Sequence, residues 1–233
     1  MDRDEIRLPM VEIFSTVEGE GAAAGFPTTF IRLFHCNLRC VWCDTPYSYA
    51  PAKPVFEATI AEIVQEVRKY PNEYICLTGG EPLIHGEKSR QLISALAEID
   101  YIKDIHIETN GAIDLQPFQE LREENSLVKA KTRFVLDFKL PTSGELDKMI
   151  HTNFSLLEEQ DEIKFVIGND VDFEIAKEMV EKKVERGTPL FSPVFETMQP
   201  ALLVEKMLAN KLSSVKLSLQ THKFIWHPEK RGV

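Results

Sequence analysis

The feature that most constrains the fold is a repeated alternation between apolar segments of strand length and amphipathic segments of helix length. The segments predicted as strands are 28–34, 74–80, 104–111, 133–141, 162–170, 189–195 and 214–220. The segments predicted as helices are 59–70, a stretch containing Leu92, Ile93, Leu96 and Ile99, a segment between 141 and 162, 173–187 and 200–212. Strands that alternate with helices favour parallel β/α units. About six units are present, fewer than the eight of a closed barrel, so we predict an α/β fold, a partial and open (β/α)6-type barrel.

Several residues are expected to mark helix ends. Thr59 and Glu62 have the spacing of a capping box at the start of the first helix. Pro200 is expected at the start of the last helix and Gly187 at the end of the one before it. No linker rich in Gly, Ser or Pro divides the chain. Residues 1–233 are therefore expected to form one domain, with a C-terminal tail that closes the active site.

Each unusual motif follows a predicted strand. CNLRCVWC (36–43) comes after the first, TGGEP (78–82) closes the second, and ETNG (108–111) ends the third. In β/α barrels the functional residues gather at the carboxyl ends of the strands. These three motifs are therefore expected to lie together.

Charge and hydropathy limit the partners of the chain. It has 27 basic and 37 acidic residues, a net charge of −10. That balance disfavours direct nucleic-acid binding, which needs a basic surface. No apolar run approaches the ~20 residues of a membrane helix, and the acidic start is unlike a signal peptide. We expect no membrane association, a cytoplasmic location and a small-molecule substrate.

Three of the four cysteines, Cys36, Cys40 and Cys43, lie within eight residues in a C-x3-C-x2-C pattern. In a cytoplasmic chain this spacing favours metal or redox chemistry over disulfides. A structural zinc site normally has four ligands, so zinc would need His35 or Cys76 as the fourth. Cys76 lies within a predicted strand, where it is expected to be buried packing. An iron–sulfur cluster held by three thiolates would keep one iron open. Both interpretations stand at this point.

Longer motifs carry a family resemblance. The pattern C-x3-C-x-aromatic-C, with Trp42 as the aromatic residue, followed by LTGGEP (77–82), resembles the radical S-adenosylmethionine superfamily. IFSTVEGEG (13–21), CVWCDT (40–45), IETNG (107–111), LDFKLPTSG (136–144) and the tail from 217 to 233 resemble the 7-carboxy-7-deazaguanine synthase family. The resemblance implies ring contraction of 6-carboxy-5,6,7,8-tetrahydropterin to 7-carboxy-7-deazaguanine with release of ammonia. It also implies a 4Fe-4S cluster, S-adenosylmethionine, Mg2+, a homodimer and an electron donor such as flavodoxin or ferredoxin.

The resemblance also assigns residues by position. Cys36, Cys40 and Cys43 would hold the cluster, and Thr45 would bind magnesium. S-Adenosylmethionine would contact one set of residues: Gly80, Asp137, Phe138, Lys139, Ser192, Pro193, Val194 and Phe195. The pterin would contact another: Val17, Glu18, Gly19, Arg32, Thr78 and Val233. Arg32 would pair with the pterin carboxylate.

The chain departs from the family pattern at three places. Asp137–Lys139 stands where many relatives have Ser-Pro-Lys, and Glu18 where Gln is familiar. Short relatives end at a proline that matches Pro228 and use its terminal carboxylate, whereas this chain continues to Val233. We expect Val233 to take over that contact.

Alternative interpretations remain for several features. Arg32 would otherwise form an internal ion pair, Thr45 would cap a helix, and Glu18 and Glu20 would be solvated loop charges. Glu108 would equally make a structural hydrogen bond. For the whole chain, the alternatives are a glycyl-radical-enzyme activase of the same superfamily and a zinc-binding module without enzymatic activity.

Overall fold

The structure, a computed structural model, describes residues 3, 5–228 and 230–233. The strands are β1 (Arg7–Val17), β2 (Pro27–Leu33), β3 (Phe56–Thr59), β4 (Tyr74–Gly79), β5 (Asp104–Thr109), β6 (Thr132–Asp137), β7 (Glu162–Ile167), β8 (Thr188–Pro193) and β9 (Lys216–Leu217). The helices are α1 (Ile60–Val67), α2 (Glu87–Ala97), α3 (Gln116–Glu124), α4 (Ser126–Lys131), α5 (Asp170–Lys183), α6 (Pro200–Ala209) and α7 (His222–Ile225).

The strands form one open sheet in the order β3-β1-β2-β4-β5-β6-β7-β8-β9. From β2 to β9 every neighbouring pair is parallel. The prediction of an open, partial β/α barrel is therefore confirmed. β1 extends the sheet as an antiparallel strand beside β2, and β3 is antiparallel to β1 at the sheet edge.

The two faces of the sheet differ in polarity. Ile31 and Leu33 on β2, with Ile75 and Leu77 on β4, are fully buried in the aliphatic core. The intervening positions carry polar or reactive side chains, such as Arg32, which pairs in register with Thr78. Because side chains alternate across a strand, one face packs against the helices and the other presents polar groups to the inside of the open barrel.

The observed helix starts agree with the sequence-based predictions more closely than the observed helix ends do. The capping box of α1 is confirmed, since Thr59 Oγ1 accepts from Glu62 N and the Glu62 carboxylate accepts from Thr59 N. Pro200 opens α6 as expected. The expectation for Gly187 was wrong, because α5 ends at Lys183 and Gly187 lies in the turn before β8 with φ +82°.

Other differences concern whole elements. The helix expected between β6 and β7 is replaced by three short 3-10 turns, Pro141–Ser143, Leu146–Lys148 and His151–Leu156. The last strand is only two residues long. β1, β3, α3 and α4 were not predicted. No helix among the described residues is long and apolar enough to cross a membrane.

Candidate functional site

Polar side chains from adjacent strands meet at the carboxyl ends of the sheet. Arg32 and Thr78 are register partners on β2 and β4, as are Asp137 and Lys164 on β6 and β7. Glu108, on the intervening β5, accepts a 3.1 Å hydrogen bond from Lys164 Nζ. The three sequence motifs do converge here, as predicted. A surface cleft of about 350 Å³ lies at the opposite, amino ends of β5 and β6 and is separate from this site.

The cysteine loop follows β2 directly and packs against the double glycine at the end of β4. A Cβ at Gly80 would lie 2.4 Å from the His35 carbonyl oxygen and 2.8 Å from Cys36 Cβ. Glu81 N donates to the same His35 oxygen at 2.7 Å. His35 has φ +89°, which is uncommon for a residue other than glycine. Only glycine at position 80 allows this approach.

The three loop thiols are half-buried and free of disulfides. Leu38 N lies 3.4 Å and Asn110 Nδ2 3.6 Å from Cys36 Sγ, so both donate to this sulfur. Burial raises the pKa of Cys40 to about 11, while Lys139 opposes the shift. Nearby N–H donors and a cation stabilise metal-bound thiolates. The donor set therefore fits a cluster with three protein ligands.

The spacing of the thiols does not match a mononuclear zinc site. Tetrahedral zinc at 2.3 Å from each sulfur would hold thiolates about 3.8 Å apart. Among the described residues, the group of three potential ligands within 4.8 Å of one another is Glu18, Cys76 and His106, not the cysteine loop. Cys76 is buried within β4, as predicted, and burial raises its pKa to about 12.

Glu81, in the TGGEP motif, connects the ends of two strands beneath the cysteine loop through hydrogen bonds. The sequence did not predict this role. It is fully buried and accepts hydrogen bonds from Leu83 N, Thr109 Oγ1 and Asn110 N at 2.9, 3.0 and 2.7 Å. Burial raises its pKa to about 7. Glu81 thus ties β4 to the end of β5, where Asn110 contacts the cysteine loop.

The segment Asp137–Lys139 lies beside the cysteine loop. Lys139 Nζ donates to Asp137 Oδ2 at 2.6 Å and lies 5.0 Å from the Trp42 ring centroid. Asp137 Oδ1 and Trp42 Nε1 are buried without a hydrogen-bond partner among the described residues. Phe138 is 1% exposed and packs among Phe154 and Phe165. Its side chain therefore belongs to the core, and only its backbone can face a ligand.

The loop after β1 closes the inside of the barrel. Glu18 and Gly19 are buried, and Val17 is half-buried. Glu20 Oε2 accepts from Lys164 Nζ at 3.3 Å. Glu18 and Glu20 are therefore not solvated charges. The C-terminal tail covers this loop, since Thr221 N and Oγ1 donate to the Gly19 carbonyl at 3.1 and 3.0 Å.

Arg32 forms the internal ion pair that the sequence left as an alternative. Its Nε donates to Glu12 Oε1 at 2.8 Å, and both side chains are largely buried. Burial lowers the pKa of Arg32, but Tyr47, Glu12 and Asp44 outweigh it, so the net shift is upward. Glu12, on the unpredicted strand β1, was missed. A β-bulge between Met10 and Glu12 sets the register that brings Glu12 opposite Arg32, and simple alternation along the sequence does not reveal it.

The remaining predicted residues lie around the same opening. Thr45 precedes a short 3-10 turn without capping it through its side chain, and its Oγ1 is 3.8 Å from Cys43 Sγ. Ser192 and Pro193 end β8, and Val194 and Phe195 follow, with all but Phe195 buried. Val233 is half-buried at the end of the tail. There, the Arg231 guanidinium lies 3.8 Å above the Tyr47 ring.

Comparisons with known proteins agree with this architecture. Residues 31–200 match the radical SAM superfamily, so the chain is a member of that superfamily. A 7-carboxy-7-deazaguanine synthase of Leptospira interrogans is 35% identical over 99% of this chain and 100% of its own length. One of Clostridium acetobutylicum is 35% identical over 96% and 98%. The chain belongs to the 7-carboxy-7-deazaguanine synthase family.

Solved structures show the same fold. QueE from Escherichia coli superposes with a TM-score of 0.71 at 21% identity, covering 93% of this chain and 95% of its own. Streptococcus suis SuiB bound to S-adenosylmethionine gives a TM-score of 0.51 at 13% identity over 80% of this chain and 45% of its own. Full-length family matches favour neither the activase nor the zinc-module alternative.

Proposed function

We propose that this protein is a 7-carboxy-7-deazaguanine synthase that converts 6-carboxy-5,6,7,8-tetrahydropterin to 7-carboxy-7-deazaguanine and ammonia. One observation carries the proposal: three free thiols on a loop packed against Gly80 face a polar barrel interior, in a chain of this family. Cys36, Cys40 and Cys43 would hold a 4Fe-4S cluster. Bound at these thiolates together with S-adenosylmethionine, the cluster would supply the radical chemistry of the superfamily.

The surrounding residues support a division between cofactor and substrate. The unpaired buried Asp137 Oδ1 and Trp42 Nε1 lie where a polar cofactor would satisfy them. Gly80, Lys139 and the segment 192–195 would complete the S-adenosylmethionine site. Arg32, Thr78 and the loop Val17–Gly19 would bind the pterin, with the tail closing over them.

Further features belong to the same proposal. Thr45 would provide one hydroxyl ligand to Mg2+, which commonly takes few protein ligands and completes its shell with water and substrate. The proposal also includes a homodimer and an electron donor such as flavodoxin or ferredoxin, by resemblance to the family. A cytoplasmic location also belongs to the proposal, because closely spaced cysteines in a cytosolic enzyme are more typical of metal binding than of disulfides.

The test is an anaerobic assay of cluster-reconstituted protein with S-adenosylmethionine, dithionite, magnesium and the carboxytetrahydropterin, followed by mass spectrometry. We expect 7-carboxy-7-deazaguanine from the wild type and none from Cys40→Ala. Cys76→Ala is the matched control, because it removes a thiol outside the loop and should retain iron and sulfide. Formation of 5′-deoxyadenosine without the deazaguanine would reject the substrate. Absence of both from a protein that holds its cluster would reject the reaction.

A further inference from the structure

A buried side chain controls the backbone of the loop that closes the barrel interior. Glu18 is 5% exposed. Its Oε1 accepts from Gly19 N at 2.8 Å and from Glu20 N at 3.1 Å. Its Oε2 lies 2.7 Å from His106 Nε2 on β5. The carboxylate therefore links the loop backbone to the centre of the sheet.

His106 is held between two carboxylates. Its Nδ1 lies 2.9 Å from Asp104 Oδ1, while its Nε2 faces Glu18. Each ring nitrogen must carry a hydrogen to donate to an ionised carboxylate, so the ring is an imidazolium. Burial opposes this charge, but Cys76, Asp104 and Glu18 raise the pKa of His106 well above its ordinary value. Burial likewise opposes ionisation of Glu18, yet His106 and the two loop amides bring its pKa below the ordinary value.

The network of charged side chains continues from Asp104 back to the loop after β1. Asp104 Oδ2 accepts from Arg133 Nε at 2.8 Å, and Arg133 Nη1 donates to Glu162 Oε2. Glu162 reaches Gly21, where an added Cβ would lie 2.8 Å from its Oε2. The network therefore binds the loop backbone through Glu18, and its far end, Glu162, packs closely beside Gly21.

We propose that Glu18 and His106 are a positioning pair that fixes the loop backbone for the pterin, an inference that rests on the proposed function. Neither residue is assigned to the chemical step. Glu18 meets three donors: Gly19 N, Glu20 N and His106 Nε2. A carboxylate accepts from all three, including a charged ring, whereas a glutamine with its NH2 group toward His106 needs the neutral ring with Nε2 as acceptor. This chain's glutamate is therefore matched to the charged form of its histidine partner, and glutamine loses that charge pair.

The test measures substrate binding and turnover separately in the reconstituted enzyme. Binding of 6-carboxypterin, an oxidised analogue of the substrate, is followed by its fluorescence. We expect Glu18→Gln and His106→Leu to weaken binding roughly tenfold, equivalent to one lost charged hydrogen bond. His106→Gln keeps a donor toward Glu18 and should give an intermediate value. KM should rise with kcat changed less.

Arg122→Gln is the matched control. Arg122 forms a fully buried ion pair with Asp161, so its loss lowers stability without touching the loop. Unfolding temperatures of all variants are measured beside the affinities. Wild-type binding by Glu18→Gln and His106→Leu would overturn the positioning pair, as would an equal loss in Arg122→Gln. If the wild type binds 6-carboxypterin but makes no deazaguanine, the proposed function is rejected, and the binding data alone decide whether Glu18 and His106 are a positioning pair. If the wild type neither binds the analogue nor makes the product, the proposed function and the positioning pair are both overturned.

Discussion

Arg32 shows how one side chain can satisfy both a structural and a functional interpretation. Its Nε is committed to Glu12, but its two terminal nitrogens make no hydrogen bond to any residue the structure describes. A largely buried guanidinium with free donors is well suited to a bidentate carboxylate ligand. The ion pair thus orients the side chain, and the unused edge is the part we assign to the pterin carboxylate.

The Arg32 assignment predicts a carboxylate-dependent loss of binding. Arg32→Gln should weaken 6-carboxypterin binding roughly tenfold to a hundredfold, because a charged hydrogen bond contributes about 1.5–3 kcal/mol. Binding of pterin without the carboxyl group should change little. Fluorescence titration of both compounds measures the difference, and Glu12→Gln is a control that leaves the guanidinium in place. Equal losses for the two compounds would show that Arg32 does not contact the carboxylate.

The Glu18–His106 pair also predicts a pH dependence of stability. The pKa of His106 is raised above about 6.5, so its contribution is complete below that pH and declines as the pH rises through the folded-state value. The pKa of Glu18 is lowered from about 4.5, so its contribution is lost as the pH falls through its folded-state value. The stability difference between wild type and His106→Gln should therefore shrink from pH 6.5 toward alkaline pH. Denaturant titrations at several pH values measure it, and a constant difference would argue against an imidazolium.

At the scale of elements, the sequence predicted the parallel strands well because each combines an apolar run with a distinctive ending. The sequence did not predict β1, which lies between two antiparallel neighbours, β2 and β3. The segment VEGEG at the end of β1 was nevertheless recognised as a motif. The expected helix after β6 fails because Pro141 and Gly144 favour short turns. Burial and long-range contacts decide such cases, and neither is visible in local periodicity.

The site residues also show that long-range contacts cannot be predicted from local sequence patterns. The cysteines, the double glycine and Arg32 were identified because their chemistry is unusual at those positions. Glu81 and His106 were not, since their partners come from distant parts of the chain: Glu81 bonds Asn110 and His106 bonds Glu18. A buried polar residue is recognisable only when its partners are known.

The contact between the β4 end and the cysteine loop predicts a defined defect. A Cβ at position 80 would meet backbone at 2.4 Å, which the loop can relieve only by moving Cys36. Gly80→Ala should therefore reduce iron and sulfide retained after anaerobic reconstitution, while the protein remains folded. Gly25→Ala is the control: its added Cβ meets nothing within 4 Å, and its φ of +91° places any strain in the loop after β1, away from the cysteines. Full cluster content in Gly80→Ala would show that the loop adapts freely.

At the scale of the molecule, an open sheet leaves its inner face accessible, and two segments from opposite ends of the chain cover it. The loop after β1 lies across the interior, and the tail packs on that loop through Thr221 and His222. An open barrel with polar inner side chains needs such a cover to exclude water from a buried reaction. The arrangement explains why the family resemblance extends to both ends of the chain.

The tail also places a cation beside the proposed carboxylate site, which predicts a role for Arg231 rather than for Val233 alone. Arg231 stacks on Tyr47 at 3.8 Å. Burial raises the pKa of Tyr47, while the positive charges of Arg32 and Arg231 both oppose the shift. Arg231→Gln should weaken 6-carboxypterin binding several-fold, with less effect on pterin, because it removes positive charge near the carboxylate. Lys230→Gln is the matched control, since Lys230 lies over Trp226 instead. If both substitutions have the same effect, the tail contributes only general positive charge, and the terminal Val233 carboxylate becomes the group to vary next.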